Sequence, residues 1–280
     1  MIYSPQSISN AVQILQDDPD AQILSGGTDF MVEVNFGHRA PTSVLSLRAI
    51  KELCTWSQQD GVIRIGSALP YAQMETGPLA KLLPALAQAA RTVGSPQIRA
   101  AGTLGGNLGT SSPAGDSLPV LYALDATIII ATATGERRMA VKDFMVGPKR
   151  NALSKGEIIT AVELPASTGY QGYSKVGVRN AMVISIASAC LVHNPIDRSV
   201  RLAMGTVGPT IIRASAAEKW LGEECDLASA SSITPAICAE FGRRCGEESQ
   251  PITDHRSTAE YRRHAVSVIT SRLLERCAAS

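Results

Sequence analysis

The chain has 280 residues, 45% of them hydrophobic and 18% charged, which suits an ordinary globular protein of one large or two smaller domains with a sizeable core. A net charge of +1 gives no reason to expect nucleic acid or an anionic membrane as partner, and no apolar run reaches membrane-spanning length. Cys54, Cys190, Cys225, Cys238, Cys245 and Cys277 form no Cys-x-x-Cys pair and the four histidines show no ligand spacing, so no metal or iron–sulfur site is expected in this chain.

The N-terminus, Met1-Ile2-Tyr3-Ser4-Pro5, has neither a basic segment nor an apolar signal core, which predicts a cytoplasmic location. Ser7 is placed to cap a first helix carrying Ile8, Ala11, Val12, Ile14 and Leu15 on its apolar side. A short strand, Gln22 to Ser25, runs into Gly26-Gly27-Thr28-Asp29, and further strands are expected at Val44 to Leu47 and Val62 to Gly66. Leu79 to Val93 reads as one Ala- and Leu-rich helix ending near Gly94-Ser95-Pro96. A dense glycine cluster, Gly102 to Gly115, precedes a buried strand at Thr127 to Thr132 and another from Glu157 to Leu164. Residues 166–172 read as a linker, with a domain boundary near 167. Beyond it, Met182 to His193 and Ser199 to Val207 flank a turn at Asn194 to Asp197 and predict a hairpin, and the remainder reads as helical. The last helix is expected to open on a capping box, Ser257 to Glu260, and to bury Tyr261, Ala265, Val268, Ile269 and Leu273. Both parts are therefore α+β, and no internal repeat is visible.

Two segments carry chemistry. Leu24-Ser25-Gly26-Gly27-Thr28-Asp29 is a strand entering a glycine turn, and Gly102 to Asp116 is a polar run rich in glycine. Glycines permit sharp turns and close approach, and successive backbone N–H groups can form a nest for phosphate oxygens. Thr28, Thr103, Asn107, Thr110, Ser111 and Ser112 add donors suited to phosphate and polyol, and Asp116 adds an acceptor. Gly105-Gly106-x-x-Gly109 is not the dinucleotide fingerprint of the Rossmann fold, and no Gly-Lys-Ser/Thr marks a nucleotide triphosphatase. Residues alone leave two readings open, glycine-rich connectors or a phosphate site. The connector reading suits the first segment. The second, Gly, Thr, Ser or Asn from 102 to 112 except for Leu104 and Leu108, is hard to justify as a plain connector.

Together the two segments resemble the FAD-binding domain of the molybdenum hydroxylases, a branch of the vanillyl-alcohol-oxidase-like flavoproteins. The resemblance rests on Ser25-Gly26-Gly27-Thr28-Asp29, Thr103-Leu104-Gly105-Gly106-Asn107 and Ser112-Pro113-Ala114-Gly115-Asp116. It continues through Gly156-Glu157-Ile158-Ile159, Tyr173-Ser174-Lys175, Val178 to Met182, and Asp254-His255-Arg256-Ser257 with Tyr261-Arg262. It implies a two-part FAD-binding domain over 1–167 and an α+β C-terminal domain over 168–280. It also implies that Leu24, Ser25, Gly26, Gly27, Thr28 and Asp29 wrap the pyrophosphate. Thr103, Gly105, Gly106, Asn107 and Thr110 would hold phosphates and ribityl chain, with Asp116 accepting from a hydroxyl. Val93, Gly94 and Ile98 would lie near the isoalloxazine, and Ile159 and Lys175 would complete the pocket.

The resemblance further implies a division of labour in which a molybdopterin subunit oxidises substrate and an iron–sulfur subunit carrying 2Fe-2S clusters relays electrons. This chain would then pass them through FAD to NAD, oxygen or a quinone, as part of a dimer of heterotrimers. No histidine lies in either glycine segment, so FAD is expected to be noncovalent. No general acid, base or nucleophile is expected, because the flavin carries the redox chemistry. A flavin-binding or degenerate scaffold without turnover is the alternative, and the retained glycines and Asp116 argue against it. A stand-alone oxidase would need its own substrate pocket, and the missing tether and short chain disfavour it.

Overall fold

The computed structural model describes residues 1–166 and 169–280, which fall into two compact units. Each gathers separated stretches of chain: 1–73, 96–111 and 125–165 form the first, and 74–95, 112–124 and 166–280 the second. The expected boundary between residues 167 and 168 lies outside the described residues. Strands and helices are numbered in chain order.

In the first unit β1 (Ile2–Tyr3), β3 (Val44–Ser46) and β2 (Gln22–Leu24) form a parallel sheet with β3 in the middle. Between β1 and β2 runs α1 (Ile8–Asp17), capped as expected by Ser7, whose Oγ accepts from the Asn10 N–H at 3.2 Å. Ala11, Val12 and Leu15 join Leu45, Leu47 and Ile50 in one core, each large side chain stabilising by about 1.5–3 kcal/mol. After β2 comes α2 (Phe30–Asn35), none of whose residues is buried.

A second, antiparallel sheet runs β4 (Trp56–Gln59), β5 (Val62–Gly66), β10 (Ile158–Pro165), β6 (Thr127–Thr132), β7 (Gly135–Ala140). The inner strands β6 and β10 are buried along most of their length, which is why they read as unbroken apolar runs. The outer strands β4 and β7 are polar and gave no apolar alternation, so the sequence reading lacks both. Arg137 ties β7 down through a two-pronged bond to Glu157, at 2.7 and 2.6 Å. The unit is completed by α5 (Pro96–Ala101), α6 (Leu104–Thr110) and the ribbon of β8 (Met145–Gly147) and β9 (Arg150–Asn151).

Helix α6 corrects the expected glycine loop. Thr103 sits in extended backbone, and its Oγ1 accepts from the Gly106 N–H at 3.0 Å, a helix cap. Leu104 and Leu108, four residues apart, are fully buried. Their burial outweighs a glycine penalty of about 1 kcal/mol per residue.

The second unit holds α3 (Gly77–Leu82) and α4 (Pro84–Thr92) where one helix was expected. Pro84 lacks an N–H and drives Leu83 out of helical geometry, to φ −130° and ψ 66°. After α7 (Leu118–Ala123) comes an antiparallel sheet, β11 (Gln171–Val176), β12 (Ala187–Asn194), β13 (Ser199–Gly205) and β14 (Ile212–Arg213), in that order. The β12–β13 pair is the expected hairpin, although residues 182–186 stay outside it, and β11 begins inside the expected linker. Packed below are α8 (Ser215–Glu224), α9 (Pro235–Glu248) and α10 (Ala259–Ala278). Thr258, not Ser257, caps α10, accepting from the Tyr261 N–H at 3.1 Å. Of the face expected to be buried, Ala265, Ile269 and Leu273 are buried and Val268 partly so, while Tyr261 is exposed and Arg262 is buried beside them. No helix among the described residues is long and apolar enough to cross a membrane.

Candidate cofactor site

In the first unit β2 delivers Leu24 to the turn Ser25-Gly26-Gly27-Thr28-Asp29, from which α2 departs. Gly26 lies against the end of α5, where a Cβ would stand 2.0 Å from the Ala101 carbonyl oxygen. Gly27 has a φ of 75°, a left-handed conformation that side chains resist. Ser25 Oγ and Thr103 Oγ1 lie 2.8 Å apart, and Thr110 Oγ1 donates to Asp29 Oδ2 at 3.3 Å. Two glycine-rich segments separated by 78 positions are thereby joined side by side.

Hydrogen-bond accounting separates the two segments. In the second, the Gly105 N–H donates to the Ser67 carbonyl at 2.8 Å, Gly106 to Thr103 Oγ1 at 3.0 Å and Asn107 to the Thr103 carbonyl at 3.0 Å. The N–H groups of Gly105, Gly106 and Asn107 are therefore already engaged. In the first turn, the N–H groups of Gly26, Gly27, Thr28 and Asp29 find no acceptor among the described residues. Consecutive unengaged N–H groups around a left-handed residue are the geometry that receives phosphate oxygens. The first segment, which the residues alone left as a connector and the resemblance assigned to the pyrophosphate, therefore carries the open donors.

In the second unit Asp116 is the centre of a buried polar cluster. Its Oδ2 accepts from Lys175 Nζ at 2.6 Å, and its Oδ1 from the Tyr173 hydroxyl at 2.9 Å. Thr92 Oγ1 lies 3.1 Å from Oδ2, but its single proton is also offered to the Ala89 carbonyl at 2.8 Å. Lys175 spends a second N–H on the Thr92 carbonyl at 3.2 Å, at the end of α4 where a cation is favoured. Side-chain exposure of the pair is only 8% and 7%, so Lys175 is no solvated strand lysine. Burial pushes the Asp116 carboxyl above its ordinary range, against the opposing pull of the Lys175 charge and the bonds from Lys175, Tyr173 and Thr92. Burial, then the neighbouring carboxylate, hold the Tyr173 phenol well above its ordinary value. A carboxylate has four lone-pair sites and an ammonium three protons, so one acceptor site on Oδ1 and one donor on Nζ remain unspent. An acceptor beside a donor matches a hydroxyl group.

The other expected residues fall as follows. Val93 closes α4 and Gly94 follows with a φ of 51°, in the same unit as Asp116 and Lys175. Ile98 is on α5, exposed, and its carbonyl accepts from the Gly102 N–H at 2.7 Å. Ile159 is buried in β10, the strand against which α6 packs, beside a bulge between Ile159 and Ala161. Thr92 was missed, because its role depends on α4 packing beside β11 and leaves no local mark. Tyr173 had a signal: two residues before Lys175 on a strand, it shares that residue's face.

Residues 1–167 match the family described as the FAD binding domain in molybdopterin dehydrogenase, and residues 173–277 the CO dehydrogenase flavoprotein C-terminal domain. The glyceraldehyde dehydrogenase medium chain of Sulfolobus acidocaldarius is 29% identical over 98% of this chain and 96% of its own. The nicotinate dehydrogenase FAD-subunit of Eubacterium barkeri is 36% identical over 66% and 65%. Quinoline 2-oxidoreductase from Pseudomonas putida 86 has the same fold, with a TM-score of 0.91 at 25% identity over 99% of this chain and 96% of that one. The reconstituted CO dehydrogenase of Oligotropha carboxidovorans gives 0.90 at 25% identity over 99% and 97%. The chain belongs to the FAD-binding flavoprotein subunits of the molybdenum hydroxylase family. It is thus an FAD-dependent oxidoreductase subunit of the xanthine dehydrogenase and carbon monoxide dehydrogenase type.

Proposed function

We propose that this chain is the electron exit of a molybdenum hydroxylase, taking electrons from an iron–sulfur subunit and passing them through noncovalent FAD to NAD, oxygen or a quinone. Carrying this reading is the first glycine turn, whose open N–H groups from Gly26 to Asp29 are braced by Ser25 against Thr103. In the first unit Leu24 to Asp29 would take the diphosphate, with Thr103, Gly105, Gly106, Asn107 and Thr110 shaping the wall and Ile98 and Ile159 adding apolar surface. Because the Gly105, Gly106 and Asn107 N–H groups are spent, these residues act through close approach and side chains rather than as a nest. In the second unit Asp116 and Lys175 would hold a polyol hydroxyl through their unspent acceptor and donor, with Val93 and Gly94 nearby in sequence to Thr92. Bound FAD supplies two-electron redox chemistry that side chains lack. The protein binds, orients and tunes; no residue serves as general acid, base or nucleophile.

The partners in this reading are an iron–sulfur subunit and a molybdopterin subunit, assembled as a dimer of heterotrimers in the cytoplasm. Domains of 1–167 and 168–280 are the proposed units of descent. A test compares the complex with and without its flavin, iron and molybdenum content being equal. Hydroxylation read with a dye that accepts electrons at the iron–sulfur clusters should survive flavin removal, while turnover with the native acceptor falls by orders of magnitude. Persistence of both activities would make the chain a scaffold.

A further inference from the structure

We propose that Tyr173 is a positioning residue for the flavin's polyol chain, its hydroxyl fixing Asp116 so that the open acceptor site on Oδ1 keeps one direction. The proposal rests on the reading that Asp116 and Lys175 receive a polyol hydroxyl.

Asp116 is clamped at both oxygens from one strand. Tyr173 and Lys175 lie two apart on β11, share a face, and reach different oxygens, Oδ1 at 2.9 Å and Oδ2 at 2.6 Å. With Lys175 alone the carboxylate could turn about its last bond and present either oxygen. Tyr173 removes that freedom. Tyr173 is itself held: its backbone N–H donates to Gln88 Oε1 at 2.7 Å, β11 pairs with β12 in the register Tyr173 to Cys190, and the side chain is 5% exposed. A group fixed before its ligand arrives loses less freedom on binding, and a first contact is only as fixed as the residues behind it. The incoming hydroxyl would donate to Oδ1 and accept from the unspent Lys175 N–H. Removing the phenol hydroxyl frees the carboxylate and deletes one donor that favours its charged form.

The experiment uses the assembled complex stripped of FAD and titrated with FAD from pH 8 to pH 5. Tyr173→Phe keeps the ring and should raise the FAD dissociation constant about tenfold, the scale of a lost hydrogen bond to a charged group. The pH at which affinity begins to fall on acidification should also move upward. Among the described residues the titratable groups that face Asp116 are Lys175 and Tyr173 of β11, beside the uncharged Thr92 hydroxyl of α4. Asp116→Ala should weaken FAD at least as much and abolish the pH dependence. Wild-type affinity and pH profile in Tyr173→Phe, alongside weakened Asp116→Ala, would overturn the positioning role, and a lowered melting temperature alone would mark Tyr173 as merely structural. Should both variants bind FAD as wild type does, the polyol reading itself fails, and the proposal with it. If Tyr173→Phe does not assemble, Tyr173→Met carries the same expectation.

Discussion

Two aspartates in the second unit each face a buried basic residue, and they differ in the donors that hold them. Asp254 Oδ1 accepts from the Arg256 N–H at 2.9 Å, the Ser257 N–H at 3.2 Å and the Arg262 guanidinium at 2.7 Å. Although burial opposes it, those bonds hold the Asp254 carboxyl down at about 2. Arg262 is 2% exposed and also donates to the Ile186 and Thr206 carbonyls, at 2.8 and 3.1 Å. Among the described residues no backbone N–H reaches Asp116, which keeps an acceptor site on Oδ1 open and is pushed upward by burial. A carboxylate gripped by two backbone N–H groups and a guanidinium holds the fold together. A buried carboxylate that no backbone N–H reaches is costly by itself, and it is the one proposed here to receive a hydroxyl. The glycine segments of the first unit repeat the contrast, with spent N–H groups in α6 and open ones from Gly26 to Asp29.

The largest expected effect breaks the Asp254–Arg262 pair. Arg262→Met should destabilise the FAD-free protein by about 3 kcal/mol in denaturant unfolding, since the Ile186 and Thr206 carbonyls lose their donor and Asp254 loses its guanidinium partner. Flavin affinity of the molecules that remain folded should stay within about twofold. A tenfold loss would show that both clusters serve the cofactor.

Next in size is a pair of pH dependences with opposite sign. The Asp254 carboxyl is depressed, so its contribution is present above the ordinary carboxylate value and lost as pH falls toward about 2. Asp254→Asn should therefore cost about 2 kcal/mol at pH 6 and almost nothing near pH 2. The Asp116 carboxyl is raised, so the native state binds a proton that the unfolded chain has released. Wild type should lose stability relative to Asp116→Asn as pH rises from the ordinary carboxylate range through the native value. Parallel slopes would erase the distinction between the two aspartates.

How much of this was legible in the sequence depends on where each contact lies. The Ser7 cap and the β12–β13 hairpin are local, so spacing and turn residues sufficed. Polar edge strands β4 and β7 carry no period that distinguishes them from loops. Helix α6 hides behind its glycines, because Leu104 and Leu108 read as interruptions until their burial is known. Residues 74–95 and 112–124 belong with the C-terminal stretch through contacts made at long range, which no window of sequence displays. Of the site, Asp116 stood out as an acceptor beside the glycine run, Lys175 came from the family resemblance, and Tyr173 follows from strand periodicity. Which glycine segment has free donors is a matter of accounting, and accounting needs coordinates.

The smallest expected effect tests that accounting with two glycines. Gly27 has a φ of 75° and room around it, with the nearest atom to an added Cβ at 3.4 Å. Gly27→Ala should thus fold, at a cost of about 1 kcal/mol for holding a side chain in left-handed backbone. It should also weaken FAD, because relaxing that angle turns the adjacent N–H groups away from a shared focus. Gly109 is helical, in α6, and an added Cβ there meets nothing within 4 Å. Gly109→Ala should stabilise by about 0.5–1 kcal/mol through helix propensity and leave FAD affinity unchanged. Titration calorimetry with FAD on both variants, beside thermal unfolding of their FAD-free forms, measures both signs. If Gly109→Ala weakened FAD while Gly27→Ala did not, the diphosphate would lie over α6 rather than on the first turn, and the open N–H groups from Gly26 to Asp29 would need another ligand.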